Sequence, residues 1–428
     1  MFTAKTEGEA PAPAYKPDLT DTEGRDTYES GTDPVNFTWN NWLDGGGLGT
    51  LEIVDGAPYG VASKVQHFNT PEGTKPEISF MFSTKPGATT VVIENDFMFT
   101  STGLLLPKFE IRNSSGVVFG FFIGAQNGEV GLLDENQNII GKLANDGEWF
   151  RLRIEIVDAG DGTSNVLFYL NDNRIAQNHN FTASAEAKTI NRFRFWTEQA
   201  HTGDIYFDNT KFSSSYSPDL SDMTGRESYD NGTMTSTNGG NKYNSDLFEI
   251  DPWAPASSMS IVDATPWGVS SKAYLFKLQG ASGSQEINIK PTSRASGANY
   301  IKFETDIMID NVQANSMIEI QLRGSGDSGY PKFYLYTYAD GTVELKNSSA
   351  STVAVISDIG EWFRFGFEYI KQDGNVVINM YVNETKLDVT GFVGTADPSV
   401  MNRVRIMPNT GAKCDIYFDN TKVEFLAK

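Results

Sequence analysis

Cysteine and histidine are nearly absent from this chain of 428 residues: Cys414 is the only cysteine, and there are three histidines. A single cysteine excludes an intrachain disulfide and any site built from several thiolates, and it leaves the redox compartment undecided. The shortage of histidine argues against a metal site with several histidine ligands. We therefore expect each folded domain to be stabilised by its hydrophobic core alone.

Long apolar runs and an excess of positive charge are missing as well. No segment approaches the roughly 18 apolar residues that cross a bilayer, and the N-terminus, Met1–Lys5, lacks the apolar core of a secretory signal. Acidic residues outnumber basic ones by 55 to 34, for a net charge of -21. Such a charge repels nucleic acid phosphates and anionic membranes, so we expect neither as a partner. The net negative charge is compatible with calcium binding.

The sequence contains an internal duplication. Residues 204–211 recur letter for letter as residues 415–422, and residues 147–151 match residues 360–364. A repeat of about 200 residues far exceeds the 20 to 50 residues of solenoid and propeller units, so each copy should be a whole domain. The predicted organisation is an N-terminal arm (1–16), a first domain (17–212), a linker (213–217) and a second domain (218–428).

The copies alternate apolar and polar residues in short segments, which is typical of strands. Trp149–Ile156 and Phe303–Ile309 are examples, and turn pairs such as Asn127-Gly128 separate such segments. Helical patterns with caps are nearly absent. We predict an all-β fold: two tandem antiparallel β-sandwich jelly-roll domains with a short extended N-terminal arm. The arm is rich in alanine and proline, and we expect it either to dock on a neighbouring subunit or to fold back locally.

The order of the motifs resembles the concanavalin A-like lectin/glucanase superfamily over nearly all of both copies. Each copy has an acidic strand with a tyrosine (26–31 and 227–232), a Gly-x-x-Ser-Lys strand, a Glu-x-Asp strand, a Gly-Glu-Trp-Phe-Arg strand and a closing Asp-Ile-Tyr-Phe-Asp-Asn strand. The resemblance implies the fold, and it leaves the activity open. Carbohydrate-binding modules, laminin G-like adhesion domains, glucanases, polysaccharide lyases and domains on phage fibres and capsids belong to that superfamily.

Alternation within the strands also predicts polar faces. In the strand after Trp149, Phe150 and Leu152 lie on one face and Arg151 and Arg153 on the other. The residues assigned to a polar sheet face are Glu94, Asp96, Arg151, Arg153, Arg192, Arg194, Glu304, Asp306, Arg364, Arg403 and Arg405. Two interpretations stay open. The face forms a sugar-binding groove, as on the concave sheet of the superfamily, or it carries solvated ion pairs worth a few tenths of a kcal/mol each.

Catalytic motifs of the superfamily are incomplete. Retaining glucanases place three carboxylates along one strand, and the segment Glu249-Ile250-Asp251 is followed by Pro252 without a further glutamate at that spacing. The Gln-Ile/Val-His and Tyr-x-Lys strands of similar polysaccharide lyases are not found. We therefore expect no enzymatic activity, with a glycan-degrading enzyme as the alternative.

Aromatic residues beside polar ones point to a glycan site, because a sugar stacks its apolar face on an aromatic ring. The candidates are Trp39, Trp42 and Asp44 in the first copy, and Tyr243 and Trp253 in a corresponding insert of the second. The inserts differ between the copies, which suits a variable recognition edge. An equally open interpretation is that the tryptophans close the end of the sandwich.

The first and last strands of each copy bring carboxylates together. Asp208 should lie beside Glu29, and Asp419 beside Asp230. This arrangement resembles the structural calcium site of several carbohydrate-binding jelly rolls, and backbone carbonyls would have to complete the six to eight oxygen ligands. The alternative is that the aspartates shape the strand ends through local hydrogen bonds.

Taken together, the sequence predicts a non-catalytic, tandem lectin-like protein that binds glycans or a host surface. With no secretion signal and a candidate docking arm, a phage virion component is the favoured setting, and an extracellular surface is the other. Other virion or surface proteins would then be partners through residues 1–16. A purely structural cementing role is a further alternative.

Overall fold

The computed structural model describes residues 15–20, 25–29, 38–44, 50–71, 75–101, 103–197, 201–218, 220–221, 223–230, 232–237, 240–253, 258–280, 285–313, 315–324, 330–338, 341–372, 375–387, 396–408 and 411–428. For residues 38–44, 237, 240, 253 and 279 only the backbone is described. In these ranges helical structure is limited to short 3₁₀ turns, and no helix has the length and hydropathy needed to cross a membrane. The chain divides into two compact units, and the second comprises Tyr216–Lys428 together with Lys85–Gly87.

The first unit is a sandwich of two antiparallel sheets. Its strands are β1 (Arg25–Asp26), β2 (Thr38–Asp44), β3 (Thr50–Gly56), β4 (Ser63–Thr70), β5 (Lys75–Met81), β6 (Thr90–Ser101), β7 (Lys108–Asn113), β8 (Gly116–Gln126), β9 (Glu129–Leu133), β10 (Ile139–Asn145), β11 (Phe150–Asp158), β12 (Ser164–Leu170), β13 (Asn173–Ile175), β14 (Phe181–Ala183), β15 (Ile190–Trp196) and β16 (Gly203–Ser215). One sheet runs β13-β12-β11-β6-β16-β4-β3, with β1 beside β16 and β14 beside β12. The other runs β10-β9-β8-β7-β15-β5-β2.

The second unit repeats this architecture. Its strands are β17 (Thr233–Thr237), β18 (Gly240–Asn244), β19 (Phe248–Trp253), β20 (Met259–Ala264), β21 (Ser271–Gln279), β22 (Glu286–Pro291), β23 (Tyr300–Asp310), β24 (Ser316–Gly324), β25 (Lys332–Thr337), β26 (Thr342–Lys346), β27 (Thr352–Asp358), β28 (Trp362–Gln372), β29 (Asn375–Val382), β30 (Thr385–Lys386), β31 (Met401–Pro408) and β32 (Lys413–Leu426). The sheets run β20-β21-β32-β23-β28-β29-β30 and β17-β18-β19-β22-β31-β24-β25-β26-β27.

Two names distinguish the sheets below. The closing sheet of each unit contains its last strand, β16 or β32, and the arginine sheet contains β15 or β31, with Arg194 or Arg405. Apolar side chains from the inner faces of both sheets form one core per unit. In β11 the buried apolar residues are Phe150, Leu152, Ile154 and Ile156, as alternation predicts. Burying each side chain of this size stabilises the unit by about 1.5–3 kcal/mol before entropy is counted.

These observations confirm the all-β prediction of two tandem antiparallel sandwiches. Between β8 and β9, Asn127 and Gly128 both have positive φ, 55° and 79°, as a two-residue hairpin turn requires. One detail differs from the expectations. Ser213, Ser214 and Ser215 belong to β16 instead of a linker, because β16 continues its pairing with β6 as far as Ser215. Residues 1–14 of the expected arm lie outside the described residues.

Candidate functional site

The residues expected on one polar face lie on two different sheets in each unit. Glu94, Asp96, Arg151 and Arg153 are on β6 and β11 of the closing sheet, whereas Arg192 and Arg194 are on β15 of the arginine sheet. In the second unit, Glu304, Asp306 and Arg364 are likewise separated from Arg403 and Arg405. The expectation of a single polar sheet was therefore wrong, because alternation identifies the faces of one strand but not the sheet that the strand joins.

A buried arginine–aspartate pair is the centre of the polar network on the closing sheet. The guanidinium of Arg151 donates to both carboxylate oxygens of Asp96, at 2.8 and 3.0 Å. The second unit repeats this bidentate pair between Arg364 and Asp306, at 2.7 and 3.0 Å. Asp96 and Asp306 are both 0% exposed. Charges this deeply buried need partners that satisfy all their oxygens, which makes the surroundings of the pair informative.

Residues with unusual backbone conformations supply those partners. Tyr59 (φ 52°) donates its hydroxyl to Asp96 at 3.0 Å, and Asn209 (φ 52°) donates its side-chain amide at 2.7 Å. In the second unit Trp267 (φ 55°) and Asn420 (φ 47°) donate to Asp306 at 2.9 and 2.7 Å. Bulky side chains rarely adopt positive φ.

In both units the aspartate of the pair thus accepts hydrogen bonds from two residues with positive φ. The sequence analysis did not identify these residues. The one available signal was the matched Pro-x-Gly-Val segments at 58–61 and 266–269.

A tyrosine that precedes the first strand of each sandwich packs beside the network. Tyr15 donates to Asp172 at 2.5 Å and packs edge-on against Tyr59, with ring centroids 5.8 Å apart. Tyr216 packs edge-on against Trp267 in the same way, at 5.2 Å. Because both partners are buried and both oxygens of each aspartate accept hydrogen bonds, we interpret the central pair as a stabilising element.

The arginine sheet presents a more open cluster. In the first unit, Arg194 donates to Oε2 of Glu77 at 2.9 Å and to Oε2 of Glu110 at 2.5 and 2.9 Å. The indole N–H of Trp196 reaches Oε1 of Glu110 at 3.4 Å. Burial alone would raise the pKa of Glu110, but the charge and hydrogen bonds of Arg194, with those of Arg112 and Trp196, hold that pKa below its usual range. Arg194 is thus fixed as a cation between two carboxylates, beside a half-buried indole.

Strand register extends this cluster across the sheet. Trp42 on β2 stands opposite Glu77 on β5, and Glu77 stands opposite Trp196 on β15. Trp196 is in turn opposite Lys108, whose ammonium lies 6.0 Å from the ring centroid of Phe122. Residues in direct register share a sheet face. A row that includes aromatic and charged positions therefore crosses five strands.

The second unit keeps the arginine and changes its surroundings. Arg405 donates its Nε to Glu286 at 2.7 Å, and Trp253 stands opposite Glu286 in register, as Trp42 does opposite Glu77. The counterpart of Trp196, however, is Met407, which stands opposite Glu319 on β24. Four tyrosines with cations over their rings lie on this sheet or beside it: Tyr330 with Arg323, Tyr334 with Lys332, and Tyr336 and Tyr338 with Lys346. The two units offer different surfaces on the same scaffold.

The remaining glycan candidates have different positions. The insert containing Trp39, Trp42 and Asp44 forms strand β2, and the insert with Trp253 forms β19, so neither is a loop. The side chains of these four residues lie outside what the structure describes. Tyr243 is 0% exposed in the core of the second unit, between Tyr229 and Tyr274. No face of its ring is available to a sugar, which corrects that assignment.

Two of the predicted calcium ligands, Asp208 and Asp419, lie inside the closing strands β16 and β32, where the pairing with β6 and β23 is irregular. In the second unit, Asp419 and Asp230 line a cavity of about 270 Å³. Asp419 is 0% exposed, and among the described residues nothing donates a hydrogen bond to its Oδ2. Burial, with the nearby carboxylates of Asp306 and Asp230, raises the pKa of Asp419 to about 7. This unsatisfied carboxylate oxygen is of the type that calcium prefers, and it would supply one of the six to eight oxygen ligands that the ion needs.

The first unit differs in how these groups are satisfied. Asp208 accepts the hydroxyl of Ser63 at 2.9 Å, and Glu29 accepts the backbone N–H of Lys64 at 3.0 Å. Burial again raises the pKa of Asp208, to about 7. Across the described ranges, no group of three or more histidine, cysteine or acidic residues is arranged to hold a metal ion. Any cation here would depend on backbone or water oxygens for most of its ligands.

No family model matches the chain, and no curated protein matches it. Solved structures do match. Cellulose induced protein Cip1 is 16% identical over 45% of this chain and 97% of that chain, with a TM-score of 0.33. A carbohydrate esterase, vb_24B_21 from the Shiga toxin-encoding bacteriophage phi24B, is 14% identical over 41% and 88%, with a TM-score of 0.29.

The tandem CBM22 domain of Paenibacillus barcinonensis Xyn10C is 9% identical over 94% and 97%, with a TM-score of 0.24. At such TM-scores these likenesses carry no weight for the function of this chain.

Proposed function

We propose that this chain is a non-catalytic tandem protein that binds glycans, and that the outer face of the first unit's arginine sheet is the main sugar-binding surface. The observation that carries the proposal is the fixed cation of Arg194 between Glu77 and Glu110, beside the indole of Trp196. This combination is the one that recognises a sugar ring: an aromatic plane for its C–H face, and rigid donors and acceptors for its hydroxyls.

Rigidity favours binding at this surface. Arg194 makes hydrogen bonds to two strands, β5 and β7, so its guanidinium is held in place before a ligand arrives. A side chain that is already immobilised loses little entropy on binding, and more of the contact energy then appears as affinity. The aromatic positions Trp196 and Phe122 lie along the row that passes Lys108.

The state of Glu110 supports a binding role over hydrolysis. A glycosidase needs one carboxylic acid with a raised pKa to protonate the leaving group. Arg194 and Arg112 instead hold the pKa of Glu110 low, so that this group is a carboxylate at neutral pH. An enzyme of the same fold is the alternative, and no contact within the described residues favours it over binding.

A glycan array tests the proposal, with a reducing-end assay on the same glycans. The full-length chain should be retained on one group of related glycans, and prolonged incubation should release no reducing ends. Release of reducing ends would overturn the non-catalytic assignment. Absence of binding to any glycan, under conditions where the chain is folded, would leave a structural role as the better account.

Calcium is a further part of the proposal. Asp419 and Asp230 would hold the ion in the second unit through carboxylate oxygens, and Asp208 would contribute in the first. The ion would supply charge neutralisation to carboxyl groups that burial otherwise penalises. It would tie the closing strand to the start of the unit and take no part in sugar contacts.

The setting is proposed separately from the binding site. A surface protein, on a virion or outside a cell, would use two sandwiches to engage a glycan-coated host. Residues 1–14, which would provide attachment, lie outside the described residues, and nothing in the sugar-binding proposal depends on them. Imaging of labelled chain on particles or cells tests this setting independently.

A further inference from the structure

On the closing sheet of the first unit, Arg153 contacts both a tyrosine ring and a carboxylate. Its guanidinium carbon lies 4.3 Å from the ring centroid of Tyr169, the residue opposite it on β12, and its Nη2 donates to Glu155. The hydroxyl of Tyr169 donates to the other oxygen of Glu155 at 2.8 Å. A planar cation is thus stacked on a tyrosine and paired with the carboxylate that this tyrosine also holds.

The second unit has the same tyrosine and glutamate but lacks the arginine. Two residues beyond the matched Arg151 and Arg364, the first unit has Arg153 and the second has Gly366. Opposite Gly366 stands Tyr381, whose hydroxyl donates to Glu368 at 2.8 Å, the same distance as in the first unit. Where the arginine would lie there is a groove of about 280 Å³, whose lining includes Gly366, Tyr381 and Glu368.

Three cations, Arg226, Lys302 and Arg364, line this groove together with Glu304, Glu368 and Glu384. Among these carboxylates Glu368 is the one with no salt bridge in the described part of the chain, because Lys302, which stands opposite it in register, directs its ammonium to Glu304. Glu304 pairs with Arg226 and Lys302. Asp306 and Glu384 pair with Arg364. Within the described part of the chain, Glu368 has only neutral hydrogen-bond donors, namely Tyr300, Asn379 and Tyr381. In the first unit the corresponding Glu155 has Arg153.

We propose that the groove at Gly366 is a binding site for a guanidinium group supplied in trans, either by an arginine side chain of a partner protein or by a free guanidino compound. The first unit shows the bound state within the same chain: a guanidinium over the tyrosine ring, paired with the glutamate. A guanidinium suits the site better than an ammonium, because it is planar, stacks on the ring and is less strongly hydrated. The site is on a different sheet from the sugar-binding surface and does not depend on it.

Agmatine, titrated calorimetrically into the full-length chain, tests the proposal. The wild-type chain should bind one equivalent, and 1,4-diaminobutane should bind at least tenfold more weakly. Gly366→Arg should remove the site by placing a guanidinium there in cis. Arg153→Gly should open the same groove in the first unit and raise the stoichiometry to two.

Several results would overturn the site. These are no heat from agmatine with the wild-type chain, equal affinity for the diamine, or a stoichiometry of one for Arg153→Gly. A Cβ on Gly366 would lie 3.2 Å from the backbone oxygen of Phe303, so the arginine variant requires a small shift of the neighbouring strand. Should it fail to fold, Glu368→Gln supplies the loss-of-binding test, and unchanged agmatine affinity in that variant contradicts the proposal.

The source of the guanidinium is decided by a second titration. A blocked arginine dipeptide that binds at least as tightly as agmatine indicates an arginine on a partner protein, and a much weaker dipeptide indicates a free guanidino compound. Trp196→Ala should leave agmatine binding unchanged, since that residue is on the arginine sheet. Loss of agmatine binding in that control would contradict the separation of the two sites.

Discussion

Arg194 and Glu77 are joined across neighbouring strands, with Nη1 of the arginine 2.9 Å from Oε2 of the glutamate. The second unit joins Arg405 to Glu286 at the equivalent strand positions. The two sandwiches therefore share this ion pair, while the residue two positions beyond the arginine is Trp196 in one and Met407 in the other. Because the ion pair is shared but its neighbouring residue differs, the two units would recognise different ligands.

The buried pair of Arg151 and Asp96 should be essential to the first unit. Replacing Arg151 by alanine leaves an uncompensated carboxylate in a dry environment, and we expect a loss of about 3–5 kcal/mol in the free energy of unfolding. Urea denaturation of the full-length chain measures it. Arg174→Ala, at an exposed position, is the control and should cost less than about 0.5 kcal/mol. Equal effects of the two substitutions would refute the assigned role of the pair.

Stability should fall as the pH rises from about 4 to above 7. The pKa values of Asp208 and Asp419 are raised by burial to about 7, so the folded chain holds protons that the unfolded chain has already released. This contribution is fully present below pH 4 and is lost as the pH passes 7. Melting temperatures measured in EDTA at pH 5 and pH 8 check it. The double variant D208N/D419N should show a smaller decrease, and an unchanged decrease would count against these two groups.

Calcium should reverse part of that loss at pH 8. An ion that binds the folded chain at a concentration 100-fold above its Kd adds about 2.7 kcal/mol of stability. We expect the melting temperature to rise with added calcium, and to rise less at pH 5, where protons compete for the same carboxylates. Asp419→Asn should lose most of the response. A rise of equal size in that variant would place the ion elsewhere, and no rise in the wild-type chain would remove calcium from the account.

The sequence was sufficient for the fold because its information is local. Apolar residues at Phe150, Leu152 and Ile154 identify a strand with one buried face, and Asn127-Gly128 identifies a hairpin. The duplication also allowed Arg153 to be aligned with Gly366, although the groove that results is visible only once Tyr381 is known to stand opposite.

What the sequence could not provide was long-range pairing. Alternation gives no indication that β15 and β11 belong to different sheets, so Arg194 and Arg151 were grouped together wrongly. Tyr243 follows the polar stretch Asn241-Lys242, yet its ring packs in the core. The positive φ of Tyr59 has no local signal strong enough to predict it, because the contact with Asp96 holds the residue in that conformation.

The most direct test is the affinity of the best array glycan for three single variants of the full-length chain. Trp196→Ala and Arg194→Ala should each weaken binding at least tenfold, about 1.4 kcal/mol, because they remove the aromatic plane and the fixed cation. Trp149→Ala, beside the closing sheet, should bind like the wild-type chain. Unchanged affinity in the first two variants, with all three folded, would contradict the claim that the arginine sheet of the first unit holds the sugar.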